Sequence, residues 1–174
     1  MNVIFLDIDG VLNTFHFGLK DYKNKYGGYL IIDPKKVEIL KEICTITNAK
    51  IVLSTGWKFI LGDKLKPLDK DGKYLLEVFQ EHDIPLIGKT ITISKDLGEG
   101  KKTKYWKEYE IMDYLKKHRE VSHFCIIDDE TNGLESLLDY LVKTDDYQDF
   151  EEEEGITLKH IKSINKVLKR DFHS

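Results

Sequence analysis

Cysteine is scarce in this chain of 174 residues: Cys44 and Cys125 are the two present, and both sit in apolar segments. So few do not make a disulfide-held scaffold, and the expectation is two reduced, buried thiols in a cytoplasmic protein. An excess of positive charge is missing as well. With 27 Lys and Arg against 31 Asp and Glu the formal net charge is −4, which gives no global attraction to nucleic acid or to an anionic membrane. No apolar run reaches membrane-spanning length, so no membrane partner is expected. The N-terminal apolar stretch contains Asp7 and Asp9 and lacks a basic leader, so a signal peptide is not expected. The six histidines show no metal-ligand spacing. Internal repeats and linkers are absent too, and the length suits a single domain over residues 1–174 with a core that needs no staples.

What is there begins with MNVIFLDIDGVLNT. Val3 to Leu6 is a short run of β-formers, long enough for one buried strand. Asp7 and Asp9 fall where that strand ends, and Gly10 relieves the backbone in the turn. Positions i and i+2 of an extended segment point the same way, so the two carboxylates are expected to converge. Two anionic groups so close raise each other's pKa unless a cation sits between them, and a hard cation such as Mg2+ suits carboxylate oxygens.

Further along, Asp33-Pro34 reads as a capped helix start, with Val37, Leu40, Ile43 and Cys44 on the helix's apolar face. Ile51 to Leu53 reads as a second strand ending in Ser54-Thr55-Gly56, followed by a helix at about Trp57 to Leu61. Gly72 is expected to precede a helix over Tyr74 to Glu81. Ile84 to Ile87 reads as strand three, leading into a loop that holds Gly88, Gly98 and Gly100. Tyr105 to His118 reads as a helix, Phe124 to Ile127 as strand four ending in Asp128-Asp129, Leu134 to Asp139 as a short helix, and Tyr140 to Val142 as strand five. Thr157 is expected to cap a last helix with Leu158, Ile161, Ile164 and Leu168 inward. Apolar strands alternating with amphipathic helices predict an α/β fold: a Rossmann-like three-layer α/β/α sandwich on a mainly parallel five-stranded sheet.

In such a sheet the loops after the strands' carboxyl ends gather on one edge, where ligands bind. Asp7 and Asp9, Ser54 and Thr55, the lysines after strand three, and Asp128 and Asp129 all fall there. Carboxylates that hold a cation, a lysine that neutralises phosphate and a hydroxyl that donates to it make a phosphate-handling set. A carboxylate can also attack phosphorus. Taken singly, each feature has a plainer reading as a polar turn, a helix cap or a solvated lysine. Trp57 and Lys58 suit either substrate contact or, for Trp57, core filling.

FLDIDGVLN resembles the first motif of the haloacid dehalogenase (HAD) superfamily of phosphohydrolases, VLST its second and IIDDE its fourth. STGWK, the YEIMDYL helix before IIDD, and LVKTD followed by GIT are similar to a capless subgroup. That subgroup occurs in multifunctional RNA-repair proteins and in small stand-alone phage and bacterial proteins. The resemblance implies that Asp7 is the nucleophile and Asp9 the general acid and base. It implies Mg2+ on Asp7, on the backbone carbonyl of Asp9 and on Asp128, with Asp129 beside it or as an alternative ligand. Ser54 would hydrogen-bond the phosphoryl group, with Thr55 as the alternative and Gly56 in the same phosphate-binding stretch. The third motif needs a lysine; Lys107, ahead of Glu110-Ile111, matches it, and Lys101, Lys102 and Lys104 stay open.

Two rim segments bear on the substrate. Lys95, Lys101, Lys102 and Lys104 follow strand three, while the acidic run Asp145 to Glu154 follows strand five. Residues 13–32, with Phe15, Phe17, Tyr22 and Tyr26, occupy the place of the superfamily's flap or cap and are too few for a cap domain. The expected activity is Mg2+-dependent phosphomonoester hydrolysis, on a phosphorylated small molecule or on a nucleic-acid end. A non-catalytic phosphate-binding module on the same fold is the alternative of another class.

Overall fold

Five short strands with apolar residues at nearly every position can be buried only between two layers of helices, and that is the arrangement the chain adopts. The computed structural model describes residues 1–14, 17, 23–95, 104–105, 107–144 and 155–170. Strands β1 (Asn2–Leu6), β2 (Ala49–Leu53), β3 (Leu86–Lys89), β6 (His123–Asp128) and β7 (Leu141–Lys143) form one sheet in the order β3-β2-β1-β6-β7. Every pairing in it is parallel, with Leu6 opposite Leu53 on one side and Ile127 on the other. A two-residue antiparallel ladder joins β4 (Ser94–Lys95) to β5 (Lys104–Tyr105).

Alternation along the strands divides the core in two. Ile4, Leu6, Ile51, Leu53, Cys125 and Ile127 face a layer built from α1 (Pro34–Thr47), α2 (Lys70–Glu81) and α4 (His160–Val167). Val3, Phe5, Val52, Phe124 and Ile126 face Ile111, Tyr114 and Leu115 of α3 (Lys107–Lys117). Asp33 caps α1 as expected, its carboxylate accepting from Lys35 N at 2.9 Å. Both cysteines are free and buried, and burial pushes the Cys44 thiol up to about 12.

Several elements differ from the sequence reading. Strand three lies two residues later, because Ile84 closes the end of α2 by donating its N–H to Phe79 O, and Pro85 O is the first acceptor for β2. Gly88 is therefore inside β3, where a Cβ would come within 2.9 Å of the Tyr114 hydroxyl. Helix α2 begins before Gly72, since Asp69 caps it through Gly72 N. The segment after Ser54-Thr55 is a 3-10 helix, Gly56–Ile60. Leu134 to Asp139 is not one helix. Leu134, Leu137 and Tyr140 each donate to the carbonyl three residues back, which makes consecutive tight turns. The last helix begins at His160, so Leu158 lies ahead of it and is exposed, while Ile164, Val167 and the capping Leu168 are buried.

Residues 23–32 are tied to α2. Asn24 donates to Asp71 Oδ1 (2.7 Å), and the same oxygen accepts from Leu30 N (2.8 Å). Tyr26 bonds Glu77 through its hydroxyl and carries the Lys73 ammonium 4.3 Å from its ring centre, so this aromatic anchors the segment. Phe15, Tyr22, Gly98, Gly100, Lys101, Lys102 and the acidic run 145–154 lie outside the described residues. Among the described residues no helix is long and apolar enough to cross a membrane.

Candidate active site

The carboxyl edge of the sheet is organised by ladder bonds that continue past the strands. Asp7 N donates to Ile127 O, Ser54 N to Leu6 O, Thr90 N to Leu53 O and Thr144 N to Asp128 O, each at 2.9 Å. The first residues of four loops are thereby held in register, and their side chains share one edge.

Asp7, Asp128 and Asp129 each offer an oxygen, and these oxygens lie within 4.8 Å of one another. Asp128 ends β6 and is 1% exposed. Lys107, the first residue of α3, places its ammonium 3.1 Å from Asp7 Oδ2 and also pairs with Asp128. Asp7 Oδ1 accepts from Ile8 N at 2.8 Å. Gly10 is what lets Asp129 approach. Its φ is +66°, and a Cβ there would stand 2.3 Å from the Asp129 carboxyl carbon. The buried Thr144 hydroxyl fixes the same turn by donating to Gly10 O at 2.9 Å.

Burial holds the Asp128 carboxyl up at about 6; the Lys107 charge opposes this and the Asp7 charge adds to it. For Lys107, burial lowers the pKa, but the neighbouring Asp7 and Asp128 outweigh it, so the group stays above its ordinary value and charged. An all-oxygen donor set of this kind suits a hard divalent cation.

The Asp9 carboxylate is not one of the three in that cluster and turns to other partners. The strand ends at Leu6, and Asp9 already belongs to a turn bridged to Asn13, so the two-residue alternation no longer applies. Its carboxylate accepts from Trp57 Nε1 at 2.8 and 2.9 Å and from Asn13 Nδ2 at 2.9 Å. Partial burial raises its pKa, the Trp57 bond lowers it and the Asp7 charge raises it, and the net direction is up. Trp57 packs against the core, which is the core-filling reading of that residue, and it also donates to Asp9.

A cavity of about 580 Å³ opens beside this cluster, lined in part by Ser54, Thr55, Gly56, Lys58, Lys107 and Glu110. Ser54 is 1% exposed, and its hydroxyl has no hydrogen-bond partner among the described residues. Thr55 is engaged as a cap, its hydroxyl accepting from Trp57 N. Lys95 and Lys104 are partners in the β4–β5 ladder. The sequence reading missed the buried Lys58–Glu110 pair, for which the pattern of the chain carries no signal.

No curated protein and no solved structure matches the chain. A family model described as the HAD domain in Swiss Army Knife RNA repair proteins matches residues 3–154. That span contains the five-stranded sheet apart from Asn2, and every side chain of the cluster just described, and the chain belongs to this HAD family.

Proposed function

We propose that the protein is a phosphomonoester hydrolase that works with Mg2+ through an aspartyl-phosphate on Asp7. One observation carries the reading: a carboxylate, an ammonium and an unpartnered buried hydroxyl, from Asp7, Lys107 and Ser54, meet at one sheet edge beside the cavity. HAD proteins generally use Mg2+, and the Asp7, Asp128 and Asp129 oxygens fit that ion. When bound, the ion would neutralise charge on the phosphoryl oxygens and on Asp7.

The chain's own groups divide the remaining work. An Asp7 oxygen attacks phosphorus as the bond to the leaving oxygen breaks, and Asp9 gives that oxygen its proton. Water then attacks phosphorus, its proton passing to Asp9, and Asp7 leaves as the carboxylate. Ser54 and Lys107 donate to the phosphoryl oxygens, where charge is held during transfer. The upward shift of Asp9 suits a carboxyl that must carry a proton in the first step.

The test is a panel of nucleotides, sugar phosphates and aryl phosphates with Mg2+ present and absent, comparing wild type with Asp7→Asn. Mg2+-dependent release of phosphate by the wild type alone is expected. Equal release by Asp7→Asn would reject the proposal. The family's description speaks of RNA repair, and this favours a second reading in which the ester is a nucleic-acid end. Contacts to further phosphates release counterions, so kcat/KM for a phosphorylated oligonucleotide would then fall steeply with salt while that for an aryl phosphate would not.

A further inference from the structure

Lys58 and Glu110 stand 52 residues apart in sequence and take no part in the chemistry above, yet they meet inside the cavity wall at 2.5 Å. Their side chains are 8% and 5% exposed. Lys58 Nζ also donates to Ile91 O (2.9 Å) and Thr90 Oγ1 (3.3 Å), and Glu110 Oε1 accepts from Ile93 N (2.9 Å). The pair thus joins three segments: the turn after β2, the loop after β3, and the first turn of α3. A buried pair is a poor device for stability alone, because apolar residues of similar volume serve as well or better. What such a pair supplies is one defined geometry.

That geometry concerns Lys107. Glu110 lies three residues beyond it, one helical turn on. On the other flank, Glu108 N donates to Gly133 O (2.8 Å) and the Glu108 carboxylate accepts from Ser136 N (2.9 Å) and Ser136 Oγ (2.8 Å). The start of α3 is therefore fastened on two sides, to the loop after β6 by Glu108 and to the loops after β2 and β3 by Glu110. Ser54 and Thr55 lie immediately ahead of the turn that carries Lys58.

We infer that Lys58 and Glu110 are positioning residues whose buried ion pair sets the Lys107 ammonium opposite the Ser54 hydroxyl across the phosphate cavity. This rests on the proposed role of Lys107 and adds two residues that act through it. Misplacing a group at the reacting phosphate by about 1 Å costs on the order of 10²-fold in rate.

The experiment is a double-mutant cycle on an aryl phosphate, with the melting temperature of each protein recorded. Lys58→Met with Glu110→Leu keeps the volume and removes both charges together, so the fold should be retained. Its kcat should fall by about 10²-fold with KM little changed. In a Lys107→Ala background the same two changes should have almost no further effect, because the group they position is gone. Unchanged kcat in the pair variant, or a loss that simply multiplies with that of Lys107→Ala, would overturn the inference. A Lys107→Ala protein with wild-type kcat and KM would instead overturn the role proposed for Lys107, and the inference with it. If the pair variant does not fold, Glu110→Gln alone, which keeps shape and one acceptor oxygen, is carried through the same cycle with the same outcomes.

Discussion

Asp7 and Asp9 are two residues apart, yet they inhabit different surroundings. Asp7 faces Lys107, Asp128 and Asp129 on the side where the strands end. Asp9 faces the indole of Trp57 and the amide of Asn13. One carboxylate pairs with an ammonium, and the other accepts its hydrogen bonds from neutral donors. Under the proposed mechanism, this contrast would let a single turn hold one carboxylate for attack and another for proton transfer. The separation is produced by where the ladder stops: Asp7 still bonds Ile127 O, whereas Asp9 belongs to the turn closed at Gly10.

The largest effect is expected on the Asp7 side. Asp7→Asn keeps the shape and removes the attacking charge, so kcat should drop by about 10⁴-fold or more on every substrate. Asp9→Asn should be less severe, about 10²–10³-fold, since it removes proton transfer and leaves the nucleophile. Quench-flow with a good aryl leaving group sharpens the difference. Phosphoenzyme should accumulate in Asp9→Asn, where the leaving group needs no proton but the attacking water still lacks a base, and never in Asp7→Asn.

Asp128 extends the comparison to stability. Its carboxyl, held up at about 6 chiefly by burial, binds a proton more tightly in the folded state than in the unfolded one. Metal-free protein should therefore lose stability as pH rises from the ordinary value of 3.8 to about 6 and stay lower above it. Asp128→Asn should melt higher than wild type at pH 7 in chelator and no higher at pH 3.5. Mg2+ should raise the melting temperature of the wild type and not of the variant. A variant that gains as much from Mg2+ as the wild type would remove Asp128 from the ion's ligands.

The smallest effect is expected at Trp57. Trp57→Phe keeps most of the packing and deletes the N–H that stabilises the Asp9 carboxylate, so the Asp9 pKa should rise further. The alkaline limb of kcat/KM should move to higher pH, with a change in the maximal rate of up to about tenfold. An unmoved limb would separate Asp9 from the proton transfer.

How far the sequence leads differs between these regions for physical reasons. Asp7, Ser54 and Asp128 sit at or one residue past the ends of apolar strands, and parallel pairing brings strand ends together whatever the side-chain detail. Their shared edge was therefore readable from pattern alone. The direction of the Asp9 side chain was not, because it depends on a turn that breaks the strand's alternation. Lys58 and Glu110 were hidden for another reason: a tertiary ion pair leaves no periodic signal, and each residue alone reads as a charged position on a polar face. Strand β3 was placed early because Ile84 is apolar and buried, while its N–H finishes a helix.

The most direct test of the central claim is the site of covalent phosphorylation. Asp9→Asn protein should be mixed with an aryl phosphate and Mg2+, quenched in acid within the first turnover, digested and sequenced by mass spectrometry. The account predicts one phosphoryl group, on Asp7 of the N-terminal peptide, lost again on standing at neutral pH. Leaving-group release in that first turnover with Asp7 unmodified, or with the phosphoryl group on another residue, would contradict it.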